Sequence, residues 1–168
     1  MNYRYHFIVA VFALILLAGC GNKATMKSVS TGPFTIQMSD SYQVIATAQW
    51  ADITYRAGTG SEQSVIQFAQ SRVDSGVTID QMASLNLQKL ELSLPWYEFV
   101  ERSSRSVDCG LDHDGQIVSF ITQQRDSKLF HSQYYALIDG QWYVWSVSNM
   151  VDNTRKTLTN MIKSAVCK

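Results

Sequence analysis

The sequence predicts an α+β fold: an antiparallel β-sheet with two amphipathic helices packed on it, after a cleaved lipoprotein signal peptide. Three observations predict this class. Runs of alternating apolar and polar residues, such as Phe34–Met38, are typical of half-buried strands. Two later segments place apolar residues at helical spacing. An apolar N-terminal run ends in Leu17-Ala18-Gly19-Cys20, the pattern of a bacterial lipobox.

The first nineteen residues have the features of a lipoprotein signal peptide. Arg4 supplies a positive charge, and residues 7–17 form an apolar run of about eleven residues. That run is too short for a bilayer core of roughly 30 Å. Ala18 and Gly19 are small enough to let a peptidase reach the bond before Cys20. We expect cleavage there; an ordinary secretory signal with a chance cysteine, or an uncleaved helix, is the alternative.

Acylation of Cys20 by palmitate-type chains would make membrane lipid the first partner of the mature chain. Two or three acyl chains anchor a protein stably, whereas one anchors it only marginally. We therefore expect a lipid-anchored protein of the bacterial cell envelope that faces the periplasm. Cys20 is followed by Gly21, where an aspartate usually retains a lipoprotein at the inner membrane. The outer membrane is therefore favoured over the inner membrane if the source is Gram-negative.

The mature chain has the length and composition of one globular domain. Removal of residues 1–19 leaves 149 residues with 13 basic and 14 acidic side chains, a formal charge of −1. This balance argues against nucleic acid as a partner. Residues 20–32 are small and polar without a period, so we expect a flexible tether there and a single domain over residues 33–168.

The first half of the domain reads as short strands followed by a helix. After the strand at 34–38, an extended piece covers residues 42–48, and a glycine loop at 58–60 predicts a hairpin between strands at 53–55 and 64–68. A helix begins at Thr78, which forms a capping-box pattern with Gln81. Its apolar stripe comprises Ile79, Met82, Ala83, Leu87, Leu90 and Leu94, and Pro95 ends it.

The second half reads as four longer strands and a closing helix. Strands are predicted at about 96–107, 117–123, 129–138 and 141–148, and Asp139-Gly140 between the last two is a strong hairpin signal. Asn149 or Asp152 is expected to cap the final helix, with Cys167 at its very end. Both helices can then cover one face of the sheet.

This element order resembles the PsbP-like superfamily, which includes the extrinsic photosystem II subunit, the Ran-binding Mog protein and small bacterial lipoproteins of the DcrB type. The matching segments are the opening strand at 34–38, the capped helix at 78–94, the aromatic hairpin at 134–143 and the closing helix with residues 158–162. The chain departs from the pattern at Ser39-Asp40-Ser41, where a proline is usual, and in its extra cysteine pair. The resemblance implies a non-catalytic assembly, adhesion or accessory role and supplies no active-site residues.

Two cysteines remain if Cys20 is acylated. Cys109 and Cys167 are an even pair in an oxidising compartment, so we predict a disulfide between them. It would close a loop of about 58 residues and stabilise the fold by roughly 4 kcal/mol. Buried free thiols and a metal site are the alternatives.

The aromatic hairpin is a candidate binding surface. Tyr135, Trp142, Tyr143 and Trp145 alternate between the two faces of the sheet, so apolar groups occur on both. They could form a surface for a partner or ligand. The favoured alternative is that they are core residues in cross-strand pairs.

Asp112-His113-Asp114 is the most suggestive cluster for chemistry, because carboxylates and imidazole bind metals and transfer protons. Neighbouring turn residues point in different directions, so a solvated turn is the favoured interpretation and we expect no metal and no cofactor. His131 is expected to be a partly exposed packing residue. We therefore expect no enzyme, but a membrane-tethered domain that binds an envelope protein or supports an assembly. The alternative is a periplasmic carrier or sensor for a small apolar or aromatic ligand.

Overall fold

A computed structural model describes residues 25–46, 51–72, 76–94, 96–105, 107, 115–124 and 126–167. Its strands are β1 (Met26–Thr31), β2 (Phe34–Ser39), β3 (Gln43–Ile45), β4 (Ile53–Ala57), β5 (Ser64–Arg72), β6 (Glu98–Ser104), β7 (Gly115–Gln124), β8 (Ser127–Ile138), β9 (Gln141–Asn149) and β10 (Val166–Cys167). Its helices are α1 (Ile79–Ser93) and α2 (Thr154–Lys163), and a 3-10 turn spans Gly60–Glu62. The predicted α+β class is confirmed.

Seven strands form the main sheet in the order β3-β4-β5-β9-β8-β7-β6, and each neighbouring pair is antiparallel. Strands β8 and β9 form a hairpin with the predicted turn Asp139-Gly140. Both turn residues have positive φ, 51° and 70°, which Asp-Gly adopts readily and which matches the twist of the flanking strands. The predicted hairpin of β4 and β5 also forms, with Tyr55 opposite Ile66.

One face of the main sheet carries the principal core. It is covered by a small sheet, in the order β1-β2-β10, and by α2. Phe34 of β2 meets two rings of β9 edge-on, with centroid distances of 5.3 Å to Tyr143 and 4.9 Å to Trp145. Leu158 and Met161 of α2 are buried in the same cluster. These aromatic contacts fix the small sheet against the main one, because large rings contribute most of the buried apolar area.

Helix α1 packs on the opposite face. Ile79 and Ala83 lie in a second buried cluster with Val118, Tyr135 and Trp142. The expectation that both helices cover one face is therefore wrong. Strands β8 and β9 carry large apolar residues at consecutive positions, so both faces of the main sheet need cover, and each receives one helix.

Residues 26–31 form β1 and are not part of a flexible tether, so the predicted tether is too long. Strand β1 pairs with β2 through the two-residue turn Gly32-Pro33, with Thr31 opposite Phe34. Of the apolar side chains of β1, only Val29 is buried, which explains why no strand pattern was evident. Gly32 has φ 57°, and a Cβ there would lie 2.5 Å from the Tyr143 ring, so this turn requires glycine.

The end of the chain also differs from the prediction. Helix α2 begins at Thr154 after Asn153, and not after Asn149 or Asp152. Asn149 is the last residue of β9, and its Nδ2 donates to Asn153 Oδ1 at 3.0 Å, so these side chains bind each other and no side chain caps the helix. Cys167 lies in β10, beyond the helix, where it joins the small sheet.

Candidate functional site

The first half of α1 is held firmly at the sheet. The predicted capping box forms: Thr78 Oγ1 accepts from the Gln81 backbone N at 3.2 Å, and Gln81 Oε1 accepts from the Thr78 backbone N at 2.9 Å. Arg102 of β6 pairs with Asp80 at 2.8 Å and donates to Ser84 Oγ at 3.1 Å. Together with the buried Ile79 and Ala83, these contacts fix the start of the helix over β7 and β8.

The second half of α1 leaves a groove between the helix and the sheet, which we call the α1 groove. Leu85 near the middle of the helix is 51% exposed, and Leu92 in its last turn is 81% exposed. The α1 groove has a volume of about 550 Å³, within the usual range for ligand sites. Its apolar lining comes from Met82, Leu90 and Leu94 of α1 and from Ala69, Trp142 and Val144 of the sheet.

A row of uncharged polar side chains crosses the floor of the α1 groove. Gln67 of β5 lies opposite Ser146 of β9, which lies opposite Gln133 of β8. Gln133 Oε1 accepts from Asn86 Nδ2 at 3.2 Å and from the Tyr135 hydroxyl. The Gln133 amide nitrogen and the Ser146 hydroxyl bond to no described residue, and neither belongs to the buried polar atoms that lack a partner, so both are accessible from the groove. Amide and hydroxyl groups that face a groove can hydrogen-bond to its contents, so this row is suited to binding a molecule with polar groups.

His131 forms the end of the floor and is neutral. Its ring stacks on Phe120 at 4.7 Å between centroids, while its Nε2 bonds to Thr122 Oγ1 at 2.9 Å and its Nδ1 to Ser148 Oγ at 2.8 Å. Burial lowers the pKa of His131 to about 4, because the charged form loses its hydration. The expectation of a partly exposed packing residue agrees with its stacking and intermediate burial.

The electrostatics of the α1 groove favour an uncharged or weakly anionic occupant. Among the described lining residues, Lys89 is the one charged side chain, since His131 is neutral. Burial also raises the pKa of the Tyr135 hydroxyl, while its hydrogen bond from Asn86 at 2.5 Å acts in the opposite direction. A cationic molecule would therefore find no described carboxylate in the lining to pair with.

The four aromatic residues of the predicted binding surface are all buried. Tyr143 and Trp145 lie in the principal core with Phe34, while Tyr135 and Trp142 lie under α1. This arrangement corresponds to the core alternative, with cross-strand packing on both faces. Trp142 also lines the α1 groove, so it is the member of the set best placed to touch a bound molecule.

Several predicted site residues lie outside the described part of the chain. These are Cys20, Cys109 and the cluster Asp112-His113-Asp114. Cys167 is disulfide-bonded, which is consistent with the predicted pair, although its pairing with Cys109 stays a prediction. Within the described residues, no three histidine, cysteine, aspartate or glutamate side chains are grouped to hold a metal ion. Nor does any helix in those ranges have the length and apolarity to cross a membrane.

The α1 groove was missed at the level of sequence. Its signal is a mismatch: the stripe of α1 continues through Leu90 and Leu94, whereas the facing positions of β9 change from Trp142 and Val144 to serine at Ser146. Where the apolar second half of α1 faces a polar part of the sheet, hydrophobic contact alone cannot bring the two surfaces together.

Comparison with known proteins identifies the fold. No protein-family model and no curated protein match the sequence. Cyanobacterial PsbP (CyanoP) from Synechocystis sp. PCC 6803 matches with a TM-score of 0.66 at 12% identity over 91% of this chain and 99% of that chain. LpqN of Mycobacterium tuberculosis, described as involved in cell envelope biogenesis, matches with a TM-score of 0.60 at 10% identity, covering 86% and 91% of the two chains. PA94 of Pseudomonas aeruginosa, a protein of unknown function, matches with a TM-score of 0.51 at 12% identity, covering 80% and 86%. The predicted PsbP-like fold is confirmed; at such identities these likenesses show the fold alone.

Proposed function

We propose that this chain is a lipid-anchored, non-catalytic accessory domain of the cell envelope, which binds a partner in the α1 groove. The observation that carries the proposal is the groove itself, an apolar wall above a polar floor on which the Gln133 amide nitrogen and the Ser146 hydroxyl bond to no described residue. Acylation at the predicted lipobox would hold the domain at a membrane surface, where confinement raises its effective concentration near membrane-bound partners. The shared fold of LpqN, an envelope-biogenesis protein, supports the same compartment.

The groove chemistry supports binding more than catalysis. Ser148 and His131 are a serine–histidine pair at 2.8 Å, the arrangement of an activated nucleophile. However, a base with a pKa of about 4 withdraws protons poorly at neutral pH. The second nitrogen of His131 bonds to the Thr122 hydroxyl, whereas a catalytic histidine is usually oriented by a carboxylate.

A small amphipathic ligand is the second candidate occupant. The volume of about 550 Å³ suits a small molecule, and the apolar wall with a few uncharged polar groups is typical of carrier sites. A carried ligand would remain with the purified protein, whereas a partner protein would be captured only from membranes. Native mass spectrometry of the purified protein therefore distinguishes the two occupants.

Filling the groove tests its role. Ala69→Trp would place an indole on the floor between β5 and α1, and should abolish crosslinking to membrane partners and retention of any ligand. Ser30→Trp, on the exposed side of β1, is the matched control and should change neither. Equal capture by both variants would exclude the α1 groove as the binding site.

The anchor is tested separately. Labelled palmitate should enter the wild-type protein, and Cys20→Ser should release the chain from membranes. Gly21→Asp should shift the lipoprotein from the outer towards the inner membrane if the proposed location is correct. The intact mass of the mature chain, with and without reduction, reports the acyl chains and the proposed Cys109–Cys167 disulfide; a free thiol at Cys109 would refute the crosslink.

A further inference from the structure

We propose that one end of the main sheet rests on the lipid bilayer and inserts exposed apolar side chains into its interface. We call this end the membrane rim. It is the end opposite the Asp139-Gly140 turn and comprises the start of β6, the connection after β9, and the first residues of β1 and β3. The inference rests on the proposed anchor at Cys20.

The strand register places the N-terminal end of the described chain at the membrane rim. Ser64, the first residue of β5, lies opposite Asn149, the last residue of β9. The Tyr42 hydroxyl donates to Ser64 Oγ at 2.8 Å, and the Lys27 amine donates to the carbonyl of Tyr42. The start of β1 is therefore joined by side chains to the rim, and the described chain begins there at Thr25.

The short distance along the chain restricts how the domain can sit. Five residue steps separate Cys20 from Thr25, and they span at most about 18 Å whatever their conformation. The nine residues of β9 run for about 30 Å from the rim to the far turn. An acylated Cys20 lies in the bilayer surface, so it holds the rim close to the lipid. An upright orientation with the Asp139-Gly140 end on the lipid would lift Thr25 by about 30 Å, more than these residues can span.

Exposed apolar side chains concentrate at this rim. Trp96 is 76% exposed and lies two residues before the start of β6, four residues after Leu92 in the last turn of α1. Phe99 lies one residue into β6, and Val44 is exposed on β3 at the other edge of the sheet. Met26 and Val151 are further exposed apolar residues at this end. Val100 follows Phe99 in β6, and of the exposed large apolar residues in the described ranges Leu85 and Val166 lie elsewhere.

The composition of the rim suits the bilayer interface more than a purely electrostatic contact. Tryptophan is enriched at membrane interfaces because its ring is apolar and its N–H is polar. The rim carries Lys27 and Lys128, but also acids such as Asp40 and Asp126. Mixed charge gives no attraction to anionic lipid, so we expect docking on neutral phosphatidylcholine that anionic lipid does not strengthen.

Quenching by brominated lipid tests the inference. The acylated full-length mature protein is reconstituted in phosphatidylcholine vesicles, with or without bromine near the top of the acyl chains, and tryptophan emission is compared. Bromolipid should remove up to about a quarter of the wild-type emission, since Trp96 is one of four tryptophans. Trp96→Phe should lose this quenching, whereas the matched control Trp145→Phe, which changes a completely buried ring outside the α1 groove, should keep it. Adding Val44→Trp to Trp96→Phe should restore it.

The outcomes separate the rim from the anchor. If Trp96→Phe is quenched as strongly as wild type, or Val44→Trp restores nothing, the rim does not touch lipid even though the protein is anchored. If the mature mass shows no acyl chains and the protein does not float with vesicles, the anchor proposal fails and this inference fails with it.

Discussion

Acid should destabilise the domain through His131. In the folded state this partly buried ring lies on the floor of the α1 groove, stacked on Phe120, and desolvation lowers its pKa from 6.5 to about 4. In the unfolded chain it regains its ordinary pKa. Between these values the unfolded state binds a proton that the folded state does not, so the free energy of unfolding decreases as the pH falls from about 6.5 to about 4. Above that window His131 is neutral in both states and makes no such contribution.

The size of the effect follows from the difference in pKa. One pKa unit corresponds to about 1.4 kcal/mol, so a difference of about 2.5 units reaches about 3 kcal/mol at the acid end of the window. Domains of this size have a total stability of about 5–15 kcal/mol, so the loss is readily measured.

Urea denaturation of wild type and His131→Phe across pH 4–8 is the assay. Phenylalanine keeps a ring to stack on Phe120 but has no titration, and it loses the bonds to Thr122 and Ser148. We expect His131→Phe to be less stable at pH 8 and to lose that disadvantage as the pH falls, because only wild type pays for protonation. Carboxylates common to both proteins cancel in the difference. Parallel pH curves, or an NMR titration of the His131 ring near 6.5, would show that the reasoning is wrong.

The fold supports three further predictions, each measured by urea denaturation. Trp145→Ala should lower the free energy of unfolding by about 3–5 kcal/mol, because removal of a completely buried ring leaves a cavity. A decrease below about 1 kcal/mol would contradict the position of Trp145 in the centre of the core. Gly32→Ala should cost about 1–3 kcal/mol, because alanine is strained at φ 57° and its Cβ meets the Tyr143 ring; an unchanged midpoint would mean that the turn adjusts freely. Thr78→Ala should cost about 1 kcal/mol through loss of the cap, and Asn153→Ala less, since Asn153 makes no cap bond; the reverse order would refute the assignment of the caps.

Local chemistry made much of the fold predictable. The Asp139-Gly140 turn, the capping box at Thr78 and the alternating strand at Phe34 each depend on neighbours in sequence, and each forms as predicted. Strand β1 cannot be recognised from its own residues, because Val29 is the one buried apolar side chain in it. Its extended conformation is determined by pairing with β2. Likewise, apolar residues on both faces of β8 and β9 could not show which face each helix would take.

The α1 groove could not be predicted because its existence depends on what two distant segments place opposite each other. The stripe of α1 predicts continuous packing, and the first half obeys it, since Ala83 meets Tyr135 and Trp142. One turn later the helix presents Asn86, which bonds to Gln133 and Tyr135. These hydrogen bonds keep the helix backbone further from the sheet than direct apolar packing would. Beyond them the sheet presents Ser146, which gives the apolar side chains of α1 no apolar surface to pack against. The same hydrogen bonds that satisfy Asn86 therefore keep the groove open. A bound molecule with both apolar and polar groups can pack against the helix and hydrogen-bond to the floor at once, which the helix alone cannot do.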